Sequence, residues 1–152
     1  MFELLLRSHS GLRWIVLVLL SATVVKSASS LMGDRHYGPL DDRLSLFSMI
    51  LAHIQLLLGL SLYSLSPSVK AAMELGMGET MRDSMLRFWA VEHIFGMVVG
   101  IALITIGWRM AKKATEDRVK FKKTLVYFSI GTLIIIGTIP WPFREFLGRG
   151  WF

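Results

Sequence analysis

Two histidines stand inside apolar segments of this chain, His53 in Ala52-His53-Ile54-Gln55-Leu56 and His93 in Val91-Glu92-His93-Ile94-Phe95. Ionisable groups at membrane depth are costly, usually face a protein interior and mark functional sites. Neutral imidazole is a common metal ligand. Two imidazoles facing one another across a helical bundle would suit the two axial positions of a b-type haem iron. His53 lies 12 residues before Leu65, and His93 lies 10 residues after Asp83. At the helical rise these are depths of ~18 Å and ~15 Å. If Leu65 and Asp83 mark one membrane surface, the two rings lie at comparable depths, so His53 and His93 are the expected iron ligands.

Other residues could complete such a site. Gly96 and Gly100 follow His93 on its helical face and leave room for a porphyrin, or form a small-residue seam for a neighbouring helix. Arg13 and Arg87, with Arg144 as a further candidate, lie near one mouth and could pair with haem propionates, which are carboxylates. Glu92 could orient a ligand histidine from another helix or handle a proton. Adjacent residues diverge by ~100° on a helix, so Glu92 and His93 do not share one metal. Phe47, Phe88 and Phe95 could pack on a macrocycle. His9 shares a face with Arg13 near the chain start and could replace His53 as the partner of His93. His36 lies in a polar loop and reads as solvated.

Each of these residues also has a purely structural reading. His53 could serve only as a hydrogen-bonding group between helices, and His9 as an interfacial one. The chain has no HExxH, and no Glu-x-x-His pair stands on an apolar segment, so zinc and di-metal sites find little support. Cysteine is absent, which excludes disulfides, thiolate metal sites and covalent haem attachment among these residues.

The elements that would carry these side chains are membrane spans. Of 152 residues, 53% are apolar, and they gather in four blocks. A helix needs ~20 residues to cross a hydrocarbon core. The expected spans are residues 4–32, 42–65, 83–110 and 119–139, followed by an interfacial aromatic tail over 140–152. The fold class read from this pattern is an all-α integral membrane four-helix bundle with antiparallel spans. Both termini then lie on the same side, and the chain forms a single transmembrane domain.

Ser27-Ala28-Ser29 looks like a signal-peptide cleavage site, but the first block reads better as a retained span. Ser8–Gly11 is expected to form a polar mouth within it, since membrane helices tolerate a glycine. Asp41 and Asp42 supply helix-start chemistry for the second span. Residues 66–84 form the longest loop, with a short surface helix expected over 69–75. Pro140 and Pro142 stop the fourth span. Lysines and arginines near the span ends number ten on one side and seven on the other, the excess lying after the third span. The positive-inside rule therefore places the termini outside the cytoplasm. The net charge of +6 reads as orientation and anionic-lipid contact, not nucleic-acid binding.

The motifs Arg7-Ser8-His9-Ser10-Gly11-Leu12-Arg13-Trp14, Ala52-His53-Ile54-Gln55-Leu56, Val91-Glu92-His93 and Pro140-Trp141-Pro142-Phe143-Arg144 resemble those of small bacterial four-helix membrane proteins described as cytochrome b-like. The resemblance spans all four blocks and the tail. It implies a haem b-binding, electron-transferring protein of the bacterial inner membrane, where the charge bias would put the termini in the periplasm. Its partners would be the lipid bilayer and a quinone or a respiratory-chain protein. The two-haem bundles of this kind carry four membrane histidines, whereas this chain has His53, His93 and the mouth residue His9. One haem is therefore expected. Two alternatives stay open: a membrane enzyme of haem metabolism, and a structural subunit of a larger membrane complex without a cofactor.

Overall fold

The structure is a computed structural model that describes residues 1–144 and Leu147. Among these, all regular structure is helical. Helix α1 (Phe2–Met32) runs unbroken through Ser8–Gly11. Helix α2 (Pro39–Leu65) begins earlier than expected. Pro39 takes the first turn, where its missing N–H costs nothing, and Asp41 Oδ2 reaches back to the Gly38 N–H at 2.9 Å. Two short helices, α3 (Pro67–Leu75) and α4 (Met77–Arg82), fold the long loop. Gly76 between them has φ +82°, a left-handed conformation that favours glycine. The Thr80 hydroxyl donates to the Ala72 carbonyl at 2.8 Å and clasps the two.

A continuous helix then covers Ser84–Lys113. It comprises α5 (Ser84–Arg87), a π turn at Phe88–Glu92, and α6 (His93–Lys113). Asp83 caps its start by accepting from the Leu86 N–H at 2.8 Å. The last long helix is α7 (Asp117–Thr138). Helix α1 packs against α2 and α7, and α6 packs against α2 and α7. Cross-contacts run antiparallel. Thr23 meets Ser48 and Lys26 meets Asp41 across α1 and α2, while Gly100 meets Gly131 across α6 and α7.

The chain is apolar on the outside and partly polar within. Val18 is 66% exposed, Leu57 64%, Phe95 67% and Leu133 68%, whereas Thr23, Ser45, Ser48 and Thr124 are buried between helices. Water would penalise that arrangement. Lipid favours it, because hydroxyls bridging helices replace the apolar drive that a hydrocarbon solvent does not supply. Leu20, Ile104 and Phe128 are fully buried and form the centre of the apolar core.

Three helices are long and apolar enough to cross a membrane: Phe2–Met32, Pro39–Leu65 and Ser84–Lys113. Helix α7 is not among them. Its 22 residues open on Arg118, Lys120, Lys122 and Lys123, which shortens its apolar part. The fourth expected span is thus a packed helix whose length and composition do not by themselves show a crossing.

Candidate functional site

His93 is the first residue after the π turn. A π turn adds a residue to one helical turn and re-aims the side chains beyond it, and such turns often occur at functional sites. The Tyr63 hydroxyl donates to the Ala90 carbonyl at 2.8 Å and ties the turn to α2. His93 Nδ1 lies 2.7 Å from the carbonyl oxygen of Thr138, the last residue of α7. A carbonyl only accepts, so the ring proton is on Nδ1, and Nε2 keeps a free lone pair.

The sequence supplies that carbonyl through its prolines. In a continuing helix the Thr138 carbonyl would bond the N–H of residue 142, which is proline and has none. The Ile136 carbonyl faces Pro140 in the same way, and Trp141 Nε1 donates to it at 2.8 Å. The Pro140-Trp141-Pro142 motif therefore does more than stop the helix. It leaves an acceptor for His93, a role for Thr138 that sequence reasoning missed. The signal was the i+4 spacing between Thr138 and Pro142.

His9 faces His93 from α1, with ring centroids 6.4 Å apart and planes at 77°. Phe88 and Trp89 pack around His93, with ring centroids at 5.9 Å and 6.1 Å. Gly59 on α2 leaves room for His9, since a Cβ there would lie 3.1 Å from His9 Cε1. Gln55 Nε2 donates to the His9 backbone carbonyl at 2.8 Å. Open space adjoins the pair on two sides. A cavity of about 780 Å³, counting its open mouth, is lined by His9, His93, Arg13, Tyr63 and Trp89. A second of about 380 Å³ is lined by His9, His93, Gln55, Met97 and Ile101.

The remaining candidates are placed differently. His53 does not meet His93. It is exposed on the outer face of α2, with Nδ1 2.9 Å from the Met49 carbonyl and Nε2 3.5 Å from Thr105 Oγ1. Thr105 is 12 residues beyond His93, or ~18 Å along the helix. The expected depths fail at their reference point. The Tyr63–Ala90 contact aligns the end of α2 with the π turn and not with Asp83, so His93 lies close to that level while His53 lies ~10 Å further along the outer face of α2.

Gly96 and Gly100 turn away from the cavity to α7. A Cβ on Gly96 would collide with the Thr138 side chain, and one on Gly100 would lie 2.9 Å from the Gly131 carbonyl. They form a packing seam, together with Gly107 against Tyr127, and not porphyrin room. Glu92 accepts from Arg87 Nε at 2.7 Å, and the pair is partly exposed away from the histidines. Arg87 also donates to the Met81 carbonyl at 2.9 Å, so it braces the helix start. Of the expected arginines, Arg13 is the one lining the cavity. Arg144 donates to the Gly137 carbonyl at 2.9 Å and lies over the Phe88 ring. Phe88 is buried beside His93, whereas Phe47 and Phe95 point outward. His36 is exposed and 3.0 Å from Asp117. The tail beyond Arg144, apart from Leu147, lies outside the described residues.

Among the described residues no group of three or more His, Cys, Asp or Glu side chains comes together as a metal site. Among the described residues the His9–His93 pair thus offers two imidazoles and no third His, Cys, Asp or Glu ligand. That donor set suits a metal that arrives with its other ligands, as iron does in a tetrapyrrole. A flat group held between the two rings would extend into the space on both sides of them. The two imidazoles fit such a group by their donor chemistry, and Arg13 lines the same cavity as a cation for a carboxylate substituent. No family model, curated protein or solved structure matches this chain. The cytochrome b-like resemblance therefore rests on its motifs alone.

Proposed function

We propose that this chain binds one b-type haem between His9 and His93 near a membrane surface and serves in electron transfer. The observation that carries the reading is the histidine pair itself. Two imidazoles face one another at 6.4 Å beside open space, and the Thr138 carbonyl holds the His93 proton on Nδ1 so that Nε2 is left to ligate. Ligating histidines characteristically donate their other ring N–H to a carbonyl or carboxylate, which fixes ring and tautomer. When bound, the haem would supply one-electron redox chemistry. The chain's own residues would do the rest. His9 and His93 ligate, Arg13 pairs with a propionate, and Phe88 and Trp89 exclude water from the His93 side. Electrons would pass to or from a quinone or a respiratory-chain protein.

The membrane arrangement belongs to the same proposal. Helix α7 lies against α6 along the Gly96–Gly107 seam, so it shares the depth of a helix able to span. On this reading α7 crosses over residues 119–139 and the four long helices form an antiparallel bundle. The basic α6–α7 connector lies in the cytoplasm of a bacterial inner membrane, and both termini lie in the periplasm.

An absorption spectrum of the full chain, expressed with ample haem and purified in detergent, tests the function. A Soret band is expected. His9→Ala and His93→Ala should each abolish it, while His53→Ala retains it. Absence of the band in the parent chain, or its retention in His9→Ala with the protein folded, would refute the assignment.

A further inference from the structure

The basic end of the molecule carries more cations than its own carboxylates use. Each aspartate there is matched: Asp34 by Arg118, Asp41 by Lys26, Asp42 by Lys112, and Asp117 by His36 and Lys120. Among the described residues Arg35, Arg43, Arg109, Lys113, Lys122 and Lys123 have no carboxylate partner, and Glu116 is the unmatched carboxylate at that end. At the opposite end Arg7 and Lys70 each have a carboxylate one turn away on their own helix, Glu3 and Glu74. No acidic residue stands three or four positions from Arg43, Arg109, Lys122 or Lys123. The surplus charge is therefore concentrated at one end.

Three of these cations lie at one level. Arg43 is four residues inside the start of α2, Arg109 four inside the end of α6, and Lys122 five inside the start of α7. That is ~6–8 Å along each helix. The Lys112–Asp42 ion pair at 2.6 Å sets the end of α6 beside the start of α2, and residues 114–116 join α6 directly to α7. One turn deeper on the same face of each helix is an exposed apolar side chain: Phe47 beyond Arg43, Ile106 beyond Arg109 and Val126 beyond Lys122. The same step from cation to apolar surface thus recurs on three helices.

We infer that this girdle binds anionic phospholipids, with Arg43, Arg109 and Lys122 on the headgroup phosphates and Phe47, Ile106 and Val126 against the acyl chains. A free phosphate or an acidic protein surface would satisfy the cations and leave the apolar residues beyond them uncovered. A negatively charged amphiphile satisfies both. Long basic side chains lie along apolar surface while their heads reach polar surroundings, which suits the phosphate level. Lys113 and Lys123 add to the same field, whose attraction for an anionic leaflet falls off within a Debye length. The inference rests on the bilayer setting of the long helices, and on neither the haem nor the orientation.

The test is electron spin resonance on the full chain reconstituted in phosphatidylcholine vesicles that hold a trace of spin-labelled phosphatidylglycerol or spin-labelled phosphatidylcholine. The motionally restricted fraction gives the relative affinity for the two lipids. The parent should favour phosphatidylglycerol at least about threefold. Arg109→Gln, Lys113→Gln, Lys122→Gln and Lys123→Gln combined should abolish that preference. Arg109→Gln alone should lower it measurably, and it serves where the combined variant does not fold. Arg7→Gln with Lys70→Gln, at the opposite end, should keep the parent value. Sodium phosphate and sodium chloride at equal ionic strength should weaken the preference equally. A parent without preference, or a preference that Arg109→Gln and the combined variant leave unchanged, would overturn the inference. So would an equal loss in the opposite-end variant. Phosphate acting more strongly than chloride would replace the lipid with a free-phosphate site.

Discussion

His9 and His93 are brought together by residues that have no reactive chemistry. Gly59 is the clearest case. A larger side chain there would push His9 Cε1 out of the 3.1 Å gap that a Cβ would already crowd. Gly59→Val should therefore weaken hemin binding at least about tenfold, or ~1.4 kcal/mol. The thermal unfolding midpoint should change little, because the displaced ring borders a cavity. A hemin titration followed at the Soret band and a melting curve in the same detergent measure both quantities. Glu92, next to His93 in sequence, belongs to a different interaction. Its ion pair with Arg87 braces the helix entry, so Glu92→Gln should leave hemin uptake within about twofold, under ~0.5 kcal/mol.

The seam between α6 and α7 is built from glycines whose neighbours do not all have freedom to yield. A Cβ on Gly100 would lie 2.9 Å from the Gly131 backbone oxygen and 2.8 Å from Ile135 Cγ1. Gly100→Ala should force the helices apart and cost about 1–3 kcal/mol, the range of overpacked cores. Gly137 offers the control within the same pair of helices, since a Cβ there meets nothing within 4 Å. Gly137→Ala should be neutral or stabilise by up to about 1 kcal/mol through helix propensity. Thermal unfolding in detergent separates the two. The π turn at Phe88–Glu92 is the other element-scale device. It sets the direction in which His93 projects from its helix, and Tyr63 fixes it from α2.

At the scale of the whole molecule, polar contacts tie the basic end of the helices together. Lys112 meets Asp42 at 2.6 Å, and His36 meets Asp117 at 3.0 Å. Hydrogen bonding by His36 is the main cause that holds the Asp117 carboxyl below its ordinary range. A depressed carboxylate stabilises the fold above its unfolded pKa, and that contribution vanishes as pH falls through the lowered value. Asp117→Asn should therefore lower the neutral-pH melting temperature slightly and converge with the parent in acid, which flattens the acid limb of the stability–pH profile. Topology is testable because the chain has no cysteine of its own. A single cysteine at Ala114 should be shielded from a membrane-impermeant thiol reagent in intact spheroplasts, and one at Ser68 should react. The reverse pattern would invert the proposed orientation.

The sequence by itself determined the apolar blocks, the proline stop after Ile139, the basic connector and the candidacy of His9, His53 and His93. These derive from composition and local geometry: hydropathy sets which residues leave water, and proline removes a donor wherever it stands. It did not determine which histidines meet. That depends on the register between α2 and α6, set by a tyrosine bonding to a π turn whose presence no periodicity announced. Nor did it decide what the glycines after His93 face, because a small-residue stripe suits a helix or a ligand equally. Only the packing of α7, with Thr138 and Gly131 against those glycines, assigned the stripe to the helix and left the cavity to His9, His93 and Arg13.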